Sequence, residues 1–215
     1  MTTSHEMLLL VPTAREAEAL ARAAGIPAAR IHICGFGPVA AAATTAALLS
    51  REKPRTALLA GIAGSYDLEA FPLGEALSFS RVVLDGVGAG EGDGFIPASQ
   101  LGFPQWPGNG SGPAIGDELQ LEPRGSDPSC TLITVCSASG SAAEAERRRA
   151  RYPGAIAEDM EGFGVALACA LAGVRLRIVR GASNAVGDRE AARWKIGAAL
   201  AAAGSRLKAI LKELA

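Results

Sequence analysis

Short apolar runs alternate with longer stretches of helical spacing along most of this chain, and that alternation predicts its elements. Residues 7–11 are uninterruptedly apolar, the length of a strand covered on both faces, and Pro12-Thr13 ends them. Residues 14–24 have helical spacing, with Leu20 and small residues on the inner face and Gly25 as the stop. Residues 31–34 read as a second strand. Gly35-Phe36-Gly37 then opens an alanine-rich helix with Pro38 in its first turn, where a missing N–H costs nothing. Residues 56–60 read as a third strand, ended by Gly61-Ile62-Ala63-Gly64, and residues 75–84 are β-rich. Beyond a loop-rich middle, strands are expected at 131–136, 155–157 and 174–179, and helices at 142–151, 161–171 and 189–214. This order predicts an α/β protein with a largely parallel sheet and helices on both faces. Ligands of such sheets gather at the carboxyl ends of strands, here residues 12–16, 35–37, 61–64, 158–161 and 180–184.

Composition adds one constraint on the core. Of 215 residues, 44 are alanine and 26 glycine, against ten Phe, Tyr or Trp. Such a core is built by close backbone approach rather than by large rings. The length fits one domain over residues 1–215, without internal repeats or a linker, and its glycine- and proline-rich stretch at 85–117 reads as lids or edges.

Charge and cysteine usage exclude several function classes. With 21 basic and 22 acidic residues the chain lacks the basic stripe of a nucleic-acid surface. Its densest basic patch, Arg147 to Arg151, follows Glu144 and Glu146 at helical spacing and reads as a solvated helix face. Cys34, Cys130, Cys136 and Cys169 show no CxxC spacing and lie in apolar contexts, which predicts buried, reduced thiols and a cytoplasmic protein. His5 and His32 cannot by themselves supply a structural zinc set. Residues 31–50 are free of charge, but Gly35, Gly37 and Pro38 interrupt them and small residues dominate, which argues against a membrane span. No basic segment with a following cleavage site suggests a signal peptide.

Four stretches carry candidate chemistry. Gly35-Phe36-Gly37-Pro38-Val39-Ala40 matches the GxGxxA dinucleotide fingerprint after a strand, yet it belongs to the second strand–helix unit. The acid that fingerprint needs about twenty residues on is represented only by Glu52, in a polar helix end. A tight turn with close packing is the bland reading. Gly181-Ala182-Ser183-Asn184-Ala185 looks like a nucleophile elbow, but both histidines precede the serine, against the order that triad needs. Residues 86–94 lack the GK[ST] ending of a P-loop. Glu158-Asp159-Met160-Glu161-Gly162 sets three acids at a strand-to-helix junction. A helix dipole favours acids there, but three crowded together suggest that one faces a ligand, where a carboxylate accepts both hydroxyl protons of a sugar cis-diol.

Asp159-Met160-Glu161-Gly162 and then Val179-Arg180-Gly181-Ala182-Ser183-Asn184 resemble the V-E-M-E-(G/A) and R-(A/G)-I-S-(D/N) junctions of the nucleoside phosphorylase/nucleosidase superfamily. Residues 35–40 are similar to its G-x-G-(K/P)-V-x-A helix opening, Gly61-Ile62-Ala63-Gly64 to its ribose loop, and Leu73-Gly74-Glu75-Ala76 to its V-G-D-(V/I) strand entry. The resemblance spans residues 7–204 and is weakest between 85 and 130. Within the superfamily, Leu10-Val11-Pro12-Thr13-Ala14 with Glu16, and residues 183–189 with Trp194, look most like the futalosine hydrolases.

That resemblance implies a single-domain, three-layer α/β/α nucleoside phosphorylase-like fold around a mixed, largely parallel sheet. It implies hydrolysis of the N-glycosidic bond of futalosine in menaquinone biosynthesis, releasing hypoxanthine from a ribose that bears a carboxyphenyl-ketone arm. No metal or organic cofactor is implied. The partner is a small purine nucleoside, not nucleic acid or membrane, and the family's dimers and larger assemblies imply a homo-oligomer. Glu16 matches the acid that positions and deprotonates the attacking water, Glu161 the carboxylate on the ribose hydroxyls, and Met160 the residue packed on the sugar. Ala63 and Gly64 fall in the ribose loop, Asp159 replaces the motif's first glutamate, and Ser183 precedes Asn184.

Asn184 stands where adenine-specific nucleosidases carry an aspartate. Its amide suits a 6-oxopurine: the NH₂ donates to O6 while the carbonyl accepts from a protonated N7. Ser137-Ala138-Ser139 stands where a related nucleosidase holds a ring against the base, which leaves Phe95, Trp106 or Phe163 to stack there. Leu58-Leu59-Ala60 lacks the arginine of a phosphorylase, although Arg15 and Arg180 remain as phosphate ligands. The alternatives are a phosphate-dependent purine nucleoside phosphorylase, a methylthioadenosine/S-adenosylhomocysteine-type nucleosidase, and a nucleoside-binding module without activity.

Overall fold

A computed structural model describes residues 7–108, 112–122 and 130–214; His5 lies outside them. Strand β1 (Met7–Val11) leads through helix α1 (Ala14–Ala24) to β2 (Ile31–Ile33), and α2 (Pro38–Glu52) leads on to β3 (Thr56–Ser65). β4 (Ala76–Phe79) and β5 (Arg81–Leu84) follow, then the two-residue pair β6 (Gly88–Ala89) and β7 (Ile96–Pro97), and β8 (Glu118–Gln120). The regular rhythm resumes with β9 (Thr131–Thr134), α3 (Ala142–Arg151), β10 (Ala155–Asp159), α4 (Gly162–Ala172), β11 (Arg175–Ala185) and α5 (Ile196–Glu213).

Nine strands form one mixed sheet among the described residues. β1 lies between β2 and β3, all parallel, and β11 runs parallel to β3 on its other side with β4 antiparallel beyond it. At Gly64 and Ser65 β3 leaves β1 behind and pairs antiparallel with β10, which continues through β9, β5 and the antiparallel edge β8. One face packs Leu9, Val11, Leu58 and Val179 against Leu20 of α1 and Leu207 of α5. The other packs Leu8, Leu10, Leu59 and Ile178 with Leu48 of α2 and Phe163 of α4. Alternate residues of β1 therefore serve opposite cores, which explains its unbroken apolar run.

Three differences from the expected elements bear on the site. β3 continues through Gly61-Ile62-Ala63-Gly64 instead of ending there, and β11 continues through Arg180 to Ala185, because each ladder satisfies the other's backbone. The glycines at 61 and 64 therefore serve close approach within a strand. The closing helix starts at Ile196, not at 189. Asp188 holds the intervening chain in its own turn: its carboxylate accepts from Glu190 N–H at 2.9 Å and its carbonyl from Trp194 Nε1–H at 3.2 Å. Cys136, just past the end of β9, is exposed, whereas Cys34, Cys130 and Cys169 are buried as expected.

Close backbone approach is realised at specific contacts. A Cβ on Gly164 would collide with the Pro38 carbonyl where α4 crosses the start of α2, and one on Gly181 with the Ala199 carbonyl of α5. Gly164→Ala should therefore cost about 1–3 kcal/mol by overpacking, measured as a lowered urea midpoint. Gly197→Ala, whose added methyl meets nothing within 4 Å, should instead raise stability by roughly 0.4–1 kcal/mol.

Candidate active site

The side-by-side run of β3 and β11 delivers Arg180 to the middle of the molecule, fully buried. Its Nε and Nη2 donate to Asp159 Oδ2 at 3.0 and 2.5 Å, and Nη2 also reaches Glu161 Oε2 at 3.3 Å. Burial opposes its charge, but Asp159, Glu161 and Glu16 outweigh burial and raise its proton affinity above the ordinary guanidinium value. Nη1 is buried without a hydrogen-bond partner among the described residues.

Asp159 is committed to the protein. Oδ1 accepts from the Thr134 hydroxyl at 2.7 Å, Oδ2 accepts from Gly162 N–H at 3.0 Å, and the rest of its capacity goes to Arg180. Expected to touch substrate, it borders the cavity as the anchor of Arg180 and of the start of α4. Glu161 is the N-cap of that helix, with non-helical backbone that turns its side chain away from the helix. Its Oε1 accepts from Gly37 N–H at 3.0 Å, and Gly37 itself has a φ of 85°, a conformation glycine adopts without strain. Burial pushes the Glu161 carboxyl up to about 7 against the pull of Arg180, with Asp159 and Glu16 adding to the rise.

Glu16 comes from the other end of the chain. Thr13 caps α1, and Glu16 stands three residues on, the spacing of a capping box. Its Oε2 accepts from the Thr13 hydroxyl at 2.7 Å and its Oε1 from Ile62 N–H of β3 at 3.2 Å. A Cβ at residue 61 would run into Arg180 Nη1 and come within 2.9 Å of Glu16 Oε1. Glycine at 61 is thus what lets the Glu16 carboxylate and the Arg180 guanidinium approach one another.

Glu16, Asp159 and Glu161 line a cavity of about 380 Å³ together with Ala63, Gly64, Met160, Ser183 and Asn184, while Arg180 is fully buried. All eight expected site residues therefore border one space, in different states. The Ser183 hydroxyl is buried between the Ala63 carbonyl at 3.1 Å and Asn184 Oδ1 at 2.7 Å. Asn184 Nδ2 donates to the Ala185 carbonyl at 2.9 Å. Because that carbonyl can only accept, the orientation of the amide is set, with one N–H and part of Oδ1 left for a ligand. Ser183 holds Asn184 in place.

Glu158, absent from the expected set, also borders the cavity. Ser139 donates to it from N–H and hydroxyl, both at 2.8 Å, and Tyr66 from its hydroxyl at 2.7 Å. Ser139, at the position expected to lack a stacking ring, thus serves this carboxylate. None of the expected stacking rings lines the cavity: Phe163 is in the core, Phe95 lies under Arg151, and Trp106 bridges Ile115. Phe36 and Trp194 line it instead. The signal for Trp194 was its place after residues 183–189; Phe36 lay in the dinucleotide-like motif, where glycine drew the attention. Among the described residues no three His, Cys, Asp or Glu side chains are grouped as a metal set, and no helix is long and apolar enough to cross a membrane.

Residues 24–215 match the model of the phosphorylase superfamily. A futalosine hydrolase of Streptomyces coelicolor is 39% identical over 173 residues, covering 78% of this chain and 72% of the relative. One from Acidothermus cellulolyticus is 37% identical over 210 residues, covering 89% and 85%. The solved structure of futalosine hydrolase from Helicobacter pylori superposes with a TM-score of 0.76 at 17% identity, over 99% of this chain and all of that one (100%), and shows the same fold.

Removing Arg180 would leave Asp159 and Glu161 buried and uncompensated. Arg180→Met should destabilise the protein by about 3–5 kcal/mol in chemical denaturation. Adding Asp159→Asn to that variant should restore part of the loss, since it removes one of the orphaned charges.

Proposed function

The chain belongs to the phosphorylase superfamily and, within it, to the futalosine hydrolases, and we propose that this cavity breaks the N-glycosidic bond of futalosine by attack of water at C1′. One observation carries the assignment of roles: the carboxylates of Glu16 and Glu161, brought from opposite ends of the chain, border a single cavity with Asn184. A water in the cavity donates one proton to Glu16, which leaves a lone pair for C1′. As the C–N bond lengthens, positive charge grows on the ribose and negative charge on the purine. Glu16 takes the water's proton, and Glu161 accepts from the ribose hydroxyls and stabilises the cation. Met160, half-buried in the cavity wall, packs on the sugar. Once solvent water has delivered a proton to N7, Asn184 Oδ1 accepts from that N–H and its free N–H donates to O6, so the departing base leaves neutral.

The electrostatics favour water over phosphate. Two N–H groups of Arg180 are neutralised by Asp159 and Glu161, and Glu16 adds a further acid to the floor. A phosphate dianion would face net negative charge there. The substrate is a small purine nucleoside, and the assembly a homo-oligomer: exposed Val39 lies in the first turn of a helix whose outer positions, Ala40, Ala43, Ala46 and Ala47, carry no charge.

Chromatography of futalosine incubated with the protein, without phosphate, should show hypoxanthine; a requirement for phosphate would overturn hydrolysis. Glu16→Gln should lower kcat by roughly 10²–10⁴-fold with the fold retained by circular dichroism. Asn184→Asp should shift preference from hypoxanthine to adenine nucleosides, read as the ratio of kcat/KM for inosine and adenosine.

The pH profile follows from Glu161. Its carboxyl sits above the ordinary value of 4.5, at about 7, so the folded protein keeps a proton that the unfolded chain releases between those values. Its contribution to stability is complete below about 4.5 and is lost as pH rises through about 7. Accepting from ribose needs the ionised form, so kcat/KM should fall on the acid side of about pH 7. A limb near 4.5 would remove Glu161 from this role.

A further inference from the structure

Two arginines at the cavity have no part in this chemistry. Arg15 and Arg189 line it from α1 and from the loop between β11 and α5, and both are exposed. Neither is paired with a carboxylate among the described residues, although acids are at hand. Asp188 and Glu190 flank Arg189 in sequence, yet both form their ion pairs with Arg193. Arg15 lies in the first turn of α1, where the helix dipole disfavours a cation, and makes no ion pair with Glu18 one turn on. The guanidinium of Arg189 rests over the Trp194 ring at 5.1 Å, and Trp194 Nε1 donates to the Asp188 carbonyl, so ring and cation are held in place together. Beside them the Phe36 ring lines the same cavity while 67% exposed, an apolar surface that gains from being covered.

We propose that Arg15 and Arg189, with the faces of Trp194 and Phe36, form a subsite for a planar aromatic carboxylate carried by the sugar. This rests on the nucleoside hydrolase reading and deepens it: the rim selects the arm, and the floor performs the cleavage. The chemistry is complementary group by group. Guanidinium forks match carboxylate oxygens in pairs, and rings accept an aryl group. The separation is functional as well, because an anion attracted to the rim is kept from the acids of the floor, which must stay free for ribose and water.

Arg15→Met, Arg189→Met and the double variant should be compared on futalosine and on inosine, which lacks the arm, with and without inorganic phosphate. For each single variant the ratio of kcat/KM, futalosine over inosine, should fall roughly tenfold, the scale of a charge-assisted hydrogen bond tempered by solvent. The loss should appear in KM for futalosine more than in kcat, deepen in the double variant, and be partly restored by lysine at either position. Parallel loss on both substrates, or an unchanged ratio, overturns the subsite. Cleavage that needs phosphate in the wild type and loses that need in the variants assigns the arginines to phosphate and overturns it too. Release of base from neither substrate defeats the hydrolase reading instead. Equilibrium dialysis of futalosine still decides the subsite in that case: about tenfold weaker binding by the double variant supports it, and equal binding overturns it.

Discussion

A guanidinium charge sealed from water at the centre of the sheet sets the terms for everything around it. Transferring such an ion from water costs several kcal/mol even after the protein relaxes, so Arg180 must be surrounded by carboxylates held at hydrogen-bond distance. Asp159 is one, and it is itself fixed by Thr134 of β9 and by the first N–H of α4. Glu161 is another, fixed by Gly37 at the start of α2. One buried ion thus ties β9, β10, β11, α2 and α4 to a common point. The same neutralisation leaves Nη1 over, and a side chain at Gly61 would meet both it and Glu16. The carboxylates that the buried ion requires are thus also among the acids that border the cavity.

Small residues make that network possible. At Gly61 a side chain would occupy the ground where Arg180 and Glu16 meet, and at Gly64 it would press on Val186 and approach Asn184 and Glu158. Behind the site, Gly164 lets α4 lie against the start of α2, and Gly181 lets α5 lie on β11. The alanine and glycine excess is accordingly uneven in meaning. Part of it draws helices onto the sheet, and part of it opens room for polar groups that a larger side chain would separate.

The order of the main elements was readable in the chain because most strands and helices differ in length and period, but the short strands β6 to β8 fell in the stretch expected as loops and three element ends lay further off. The errors share a cause. Gly61 to Gly64 and Arg180 to Asn184 look like strand ends when glycine and polar residues are taken as punctuation. They continue the strands because β3 and β11 satisfy each other, a non-local fact. The roles of Asp159 and Glu158 were hidden for the same reason. Three neighbouring acids look alike in sequence, and only partners from distant segments distinguish them: Arg180 and Thr134 hold Asp159, Ser139 and Tyr66 hold Glu158, and Gly37 holds Glu161. Phe95, Trp106 and Phe163, the rings expected in place of the one missing at 137–139, stay outside the cavity, whereas Phe36 and Trp194 reach it from loops.

Across this cavity the sign of charge changes with depth, and that change bears on why water and not phosphate is the nucleophile. In the floor, acids outnumber the one arginine, so an oxocarbenium-like sugar is favoured and a dianion is not. At the base end a neutral amide, oriented by Ser183 and Ala185, exchanges hydrogen bonds without adding charge. At the rim the balance reverses with Arg15 and Arg189. A phosphorylase must place cations next to C1′, whereas the Arg180 guanidinium is buried and already matched by two carboxylates. Moving the cations outward to the rim therefore keeps the centre fit for hydrolysis while still giving an anionic substrate somewhere to be held.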